Sequence, residues 1–182
     1  MGGVKQLLPY ANSTLLETVI QNALASKADK VYCVLGANSE AIKSQIKNSK
    51  VAFIDNLNWN DGLSSSIVTG ITYTESIKEK PKAVLVMLAD QPYVDSKYIN
   101  ELIELFNMNQ DKIIVSAYGN KKGVPAIFPK RFNDDLLKLK GDKGAKAFFN
   151  SKEIDTVTFA SKSKKALNDI DTLEDYNRLL DD

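Results

Sequence analysis

The stretch KAVLVMLAD at 82–90 is a continuous apolar run that stops on a carboxylate. It shows no alternation of apolar and polar residues, which is how a strand covered on both faces reads. KVYCVLG at 30–36, VAFID at 51–55, KIIVSAY at 112–118, PAIFP at 125–129 and IDTVTFA at 154–160 read as further strands. Between them lie segments with helical periodicity, among them LLETVIQNALASKA, SIVTGITYTESIKE, DSKYINELIELFNMN and TLEDYNRLL. Thr14 with Glu17, and Thr172 with Asp175, have the spacing of capping boxes, and Asp95 or Ser96 caps the helix that follows. Strands and helices alternate throughout. The pattern predicts a single α/β domain, a three-layer α/β/α arrangement around a largely parallel sheet. SKSKK at 161–165 reads as a loose stretch too short to link two domains.

With 182 residues, 43% hydrophobic and 26% charged, the chain is long enough for one domain with a core. The net charge of +1 points to no nucleic-acid surface and no acidic tail. No apolar run approaches the length of a membrane span, and no signal peptide opens the chain. There is one cysteine, Cys33, inside an apolar run, so a buried inert thiol and a reducing cytoplasm are the expectations. There is no histidine. Ser-His-Asp and Cys-His nucleophilic sites and His-ligated zinc are thereby excluded. Any metal must be held by oxygen, which favours ions such as Mg²⁺.

In an open α/β sheet, ligands bind at the carboxyl ends of strands. LADQP at 88–92 places Asp90 at such an end, suited either to a divalent ion or to capping the next turn. GGVK near the start offers backbone amides at Gly2 and Gly3 and a charge at Lys5 for a phosphate, without the spacing of a Walker loop. NLNWNDGLSSS at 56–66 combines a glycine and hydroxyls before a helix, fit for a base or an anion or simply for a helix cap, with Trp59 expected in the core. GDKGAK at 141–146 is either a substrate loop or a plain turn. In NDIDTLEDY, Asp169 and Asp171 alternate and so share a direction in an extended segment, and either completes a metal site with Asp90.

In this order, MGGVKQLLPY, NLNWNDGLSSS, LADQP, GVPAIF, GDKGAK and DIDTLEDY resemble the molybdenum-cofactor cytidylyltransferase family, within the Rossmann-like nucleotidyltransferases, over nearly the whole chain. The resemblance implies transfer of CMP from CTP to a phosphate of molybdopterin, with Mg²⁺ bound and pyrophosphate released. Lys5 would neutralise triphosphate charge, Gly2 and Gly3 would cradle it, and Gly62, Ser64 and Ser65 would border the base. Asp90 would hold the metal with Asp169 or Asp171. Gly123, Pro125, Asp142, Gly144, Ala145 and Lys146 would face the pterin. A molybdenum hydroxylase would be the protein that receives the product.

Two departures stand out. Lys146 replaces the arginine of the family's G-D-x-G-A-R, keeping charge but losing bidentate phosphate recognition. The family also opens with a strand and a loop of the type L-A-A-G-x-S-x-R-M-G, and this chain starts at the M-G. The resemblance therefore implies that a central strand and the front of the phosphate loop are missing, with Met1 an internal methionine. Two functional classes follow: a nucleotidyltransferase, for CTP or another triphosphate and acceptor, or a non-catalytic module that holds and delivers the cofactor.

Overall fold

A computed structural model describes residues 4–46, 50–119, 121–151, 153–160 and 169–181. SKSKK and the two glycines of GGVK fall outside the described residues.

Eight strands and seven helices follow in the order β1 (Pro9–Tyr10), β2 (Ser13–Thr14), α1 (Leu15–Leu24), β3 (Val31–Leu35), α2 (Ser39–Gln45), β4 (Val51–Asp55), α3 (Leu63–Ser76), β5 (Ala83–Val86), α4 (Ser96–Met108), β6 (Ile113–Tyr118), β7 (Lys121–Pro129), α5 (Asn133–Leu136), α6 (Lys146–Asn150), β8 (Thr156–Ala160) and α7 (Leu173–Leu180) among the described residues. The helix boundaries follow local chemistry. Thr14 accepts from the Glu17 amide at the start of α1, and Asp95 accepts from the Tyr98 amide at the start of α4. At α7 the predicted box is complete, the Thr172 hydroxyl accepting from the Asp175 amide and the Asp175 carboxylate accepting from the Thr172 amide.

The strands form two blocks. β3 and β4 pair in parallel, and a four-stranded sheet runs in the order β5-β7-β6-β8. β8 lies parallel to β6, while β7 is antiparallel to both β5 and β6. β6 ends at Tyr118 and β7 begins at Lys121, so there is no room for a crossover and β7 must return antiparallel. The sheet is therefore mixed. Among the described residues no ladder joins β3 to β5.

Strand parity assigns the layers. On β6, Ile113 and Val115 face α3, α5 and α6, in a core with Phe128, Phe148 and Phe149. Ile114 faces α4, with Ile127 of β7 and Leu102 and Phe106 of α4. On β3, Leu35 packs with Leu16 and Ile20 of α1 and Ile42 of α2. Helices thus cover both faces, the α/β/α arrangement the sequence implied. Cys33 is partly covered, and burial pushes its thiol up to about 12, so it stays protonated. No helix among the described residues is long and apolar enough to cross a membrane.

Candidate active site

The first part of the site is built around Lys5. A short 3-10 turn, Lys5–Leu7, rests on the α1–β3 core through Val4 and Leu7 and aims the Lys5 side chain across the carboxyl end of β5. The ammonium lies 2.9 Å from Asp90 Oδ2 and 2.9 Å from Asp171 Oδ1. Burial opposes the charge on Lys5, but its hydrogen bonds and attraction to the two carboxylates outweigh this and raise its pKa. Asp90 follows β5. The Ile170 amide donates to the Asp90 carbonyl at 3.0 Å, which pins 169–171 beside it. Asp169 and Asp171 then flank the same strand end. Gln91, 0% exposed, donates from Nε2 to Asp169 Oδ1 at 2.7 Å. Burial raises the Asp169 pKa, opposed by the Gln91 bond and reinforced by the neighbouring charges of Asp90 and Asp171.

Asp90 Oδ1 is buried and has no hydrogen-bond partner among the described residues. A buried carboxylate oxygen without a partner is costly unless something binds there. Among the described residues no three metal-ligating side chains converge on one point. The Lys5 ammonium stands between two of the candidate carboxylates and neutralises part of their charge. The donors are all oxygens, the set hard divalent cations prefer. Asp90 offers such an ion its unpartnered Oδ1, while Asp169 and Asp171 are neighbouring carboxylates that do not close on the same point.

Next to this cluster is a cavity of about 240 Å³, lined by Gln6, Cys33, Gly36, Asn38, Ser66 and Ala89 among others. It adjoins Lys5 through Gln6 and Asp90 through Ala89. One of its lining residues, Ser66, is held by Asn56, the first residue of NLNWNDGLSSS, to which the sequence assigned no role. Asn56 is 2% exposed. Its amide nitrogen donates to Ser65 Oγ at 2.8 Å and Ser66 Oγ at 3.1 Å, and its carbonyl accepts from the Asn58 amide at 3.0 Å and Thr69 at 3.3 Å. Ser65 is thus tied to Asn56 and to the Gly62 carbonyl. Ser64 is fully buried in α3, its hydroxyl oxygen without a partner among the described residues.

Trp59 departs from its expected place in the core. The residue is 46% exposed. A Cβ on Gly36 would come 2.5 Å from Trp59 Cβ. The tryptophan stem therefore sits on the glycine backbone and the ring remains outside.

A second group forms where the loop before α3 meets 141–144. Gly62 has φ of 91°, and a Cβ there would lie 2.2 Å from Asp142 Oδ1 and 2.8 Å from the Gly141 carbonyl carbon. Gly144, at φ of 53°, faces Leu63. Gly62, Asp142 and Gly144 are therefore brought together. Ala145 is buried in the core and Lys146 is exposed at the start of α6. Gly123 and Pro125 sit in β7, Pro125 fully buried. The Asp142 carboxylate can swing away from a new methyl group, but the Gly141 backbone cannot. Gly62→Ala is expected to cost about 1–3 kcal/mol, seen as a melting temperature several degrees lower; an unchanged melting curve would refute this close packing.

Residues 1–157 match the MobA-like NTP transferase domain. The nicotine blue oxidoreductase of Paenarthrobacter nicotinovorans is 27% identical over 188 residues, covering 98% of this chain and 88% of that protein. The manganese complex of Rv0371c from Mycobacterium tuberculosis H37Rv superposes with a TM-score of 0.82 at 25% identity, covering 100% of this chain and 94% of the other. The molybdopterin-guanine dinucleotide biosynthesis protein A of Archaeoglobus fulgidus shares the fold, with a TM-score of 0.70 at 15% identity over 99% of this chain and 90% of the other. With nearly its whole length matched and helices on both faces of a mixed sheet, the chain belongs to the MobA-like NTP transferase domain family and is a nucleotidyltransferase by fold and family.

Proposed function

We propose that the chain transfers a cytidylyl group from CTP to the phosphate of a molybdopterin-type acceptor. The observation that carries this reading is the Lys5 ammonium held between Asp90 and Asp171, beside an orphaned Asp90 oxygen and a cavity at the strand ends. An acceptor phosphate oxygen forms a bond to the α-phosphorus of the triphosphate. The bond from that phosphorus to the bridging oxygen breaks, and pyrophosphate leaves with the electron pair. No protein nucleophile is required, so the work of the chain is positioning and charge neutralisation. Lys5 supplies a fixed positive charge to the phosphates. Asp90, with Asp169 and Asp171, would hold Mg²⁺ or Mn²⁺; the manganese in the Rv0371c structure supports a divalent ion. When bound, that ion would offset charge on the reacting phosphates. The cavity beside Ser66 would receive the base, and Gly123, Pro125, Asp142, Gly144 and Lys146 would face the acceptor. Product then passes to an enzyme that uses the dinucleotide cofactor, such as a molybdenum hydroxylase.

The name of the Paenarthrobacter relative favours a second reading, in which the site binds its ligands for redox chemistry and transfers no nucleotide. Pyrophosphate release separates the two. The full chain is incubated with a molybdopterin-type phosphate, Mg²⁺ or Mn²⁺, and each of CTP, GTP, ATP and UTP. Release with CTP above the other three is expected. Release with another triphosphate alone would correct the base, and no release with any would overturn transfer.

A further inference from the structure

The β6–β7 ladder has a step in it. Val115 stands opposite Ala126, but Ser116 stands opposite Gly123, so β7 accommodates Val124 and Pro125 in a bulge. β5 ends at this level, with Val86 opposite Ala126, and the chain beyond it leads to Asp90. The bulge thus lies at the end of the sheet where the chain leaves β5 toward the carboxylate cluster.

A chain of buried hydroxyls fastens it. The Tyr98 hydroxyl, from α4, donates to Ser116 Oγ at 2.7 Å. Ser116 Oγ in turn donates to the Pro125 carbonyl at 2.6 Å. Ser116 is 0% exposed and Tyr98 6%. The Tyr98 ring is fixed edge-on to Phe159, with centroids 5.0 Å apart. Burial raises the Tyr98 pKa, so the phenol remains a donor. Two hydroxyls inside an apolar cluster carry a desolvation cost that only complete hydrogen bonding offsets. Apolar side chains would fill the same space without that cost, but they would not hold the Pro125 carbonyl to one position.

We propose that Tyr98 and Ser116 are positioning residues that set the Gly123–Pro125 segment against the acceptor and influence transfer only through it. The proposal rests on the reading of that segment as the acceptor side of a nucleotidyltransferase site. Tyr98 and Ser116 touch no substrate themselves. Ser116→Ala removes both bonds; Tyr98→Phe leaves the Ser116–Pro125 bond in place.

The test uses the full chain and its two variants, with amide hydrogen exchange, melting temperature and separate KM values for triphosphate and acceptor. Ser116→Ala is expected to speed exchange over 121–126 about tenfold, and to raise the acceptor KM by a similar factor, while the triphosphate KM stays within about twofold. Tyr98→Phe is expected to show the same pattern, smaller. Unchanged exchange over 121–126 would overturn the proposal, as would equal rises in both KM values, which a merely structural loss would produce. If the wild-type chain transfers no nucleotide, the transferase reading fails by itself. Exchange then decides the role of the hydroxyl chain, with local acceleration upholding it and uniform or absent acceleration overturning it.

Discussion

Replacing Asp90 by asparagine is expected to slow pyrophosphate release about 100-fold or more, the usual cost of removing one preorganised charge-stabilising group. Asparagine keeps the shape of the side chain and removes its charge. One oxygen of Asp90 holds Lys5 at 2.9 Å, and the other is buried without a partner among the described residues. Both would lose their electrostatic purpose in the variant. Lys5 would keep its second contact, to the more exposed Asp171. The surrounding backbone, pinned by the Ile170–Asp90 bond, does not depend on the side chain. The melting temperature should therefore stay near the wild-type value, while any rise in melting temperature on adding Mn²⁺ is lost. A rate within about threefold of wild type would show that Asp90 is not at the reacting centre.

The second large effect concerns the core. Phe128 is 0% exposed, next to the last residue of β7, and its ring meets Phe148 at 5.7 Å and Phe149 at 6.0 Å. β7 pairs with both β5 and β6, so Phe128 fills the space where α3, α5 and α6 meet the sheet. Phe128→Ala leaves a cavity that three packed elements cannot readily close. The expected cost is about 3–5 kcal/mol, a large share of the roughly 5–15 kcal/mol typical of a domain. At about 2–4 °C per kcal/mol for a chain of this size, the melting temperature falls by roughly 6–20 °C. A fall of less than about 2 °C in a thermal melt would mean that the aromatic cluster collapses around the gap.

Much of the fold was legible because its signals are local. The apolar run at 82–90 gave a strand, although β5 stops at Val86 and Asp90 lies beyond it in the following turn, and Thr172 with Asp175 gave the start of α7. What escaped notice depends on contacts between distant segments. Gln91 reaches Asp169 only because the Ile170 amide is fastened to the Asp90 carbonyl, and no spacing announces a pair 78 residues apart. Asn56 opens NLNWNDGLSSS, where the glycine and hydroxyls drew the attention, yet its amide organises Ser65 and Ser66 in the first turn of α3. The β7 bulge arises from a register that sequence pattern alone does not define. Trp59 misled because a large aromatic side chain reads as core even inside a loop rich in Asn, Gly and Ser. The glycine at 36 lets its stem rest on bare backbone and leaves the ring outside.

The division of the sheet gives one helix an unusual part in cooperativity. With no ladder between β3 and β5 among the described residues, the ten-residue α1 contributes Leu16 and Ile20 to the β3–β4 core, Ala23 to the α4 core and Leu15 to the cluster with Ile170 and Leu179. Opening of either block as a separate unit must first strip side chains from this helix. Whether the protein unfolds in one transition or in two is therefore decided on the apolar faces of α1 and of α3, which packs on β3 through Gly70 and Tyr73 and carries Ile67 and Ile71 in the core of the four-stranded sheet.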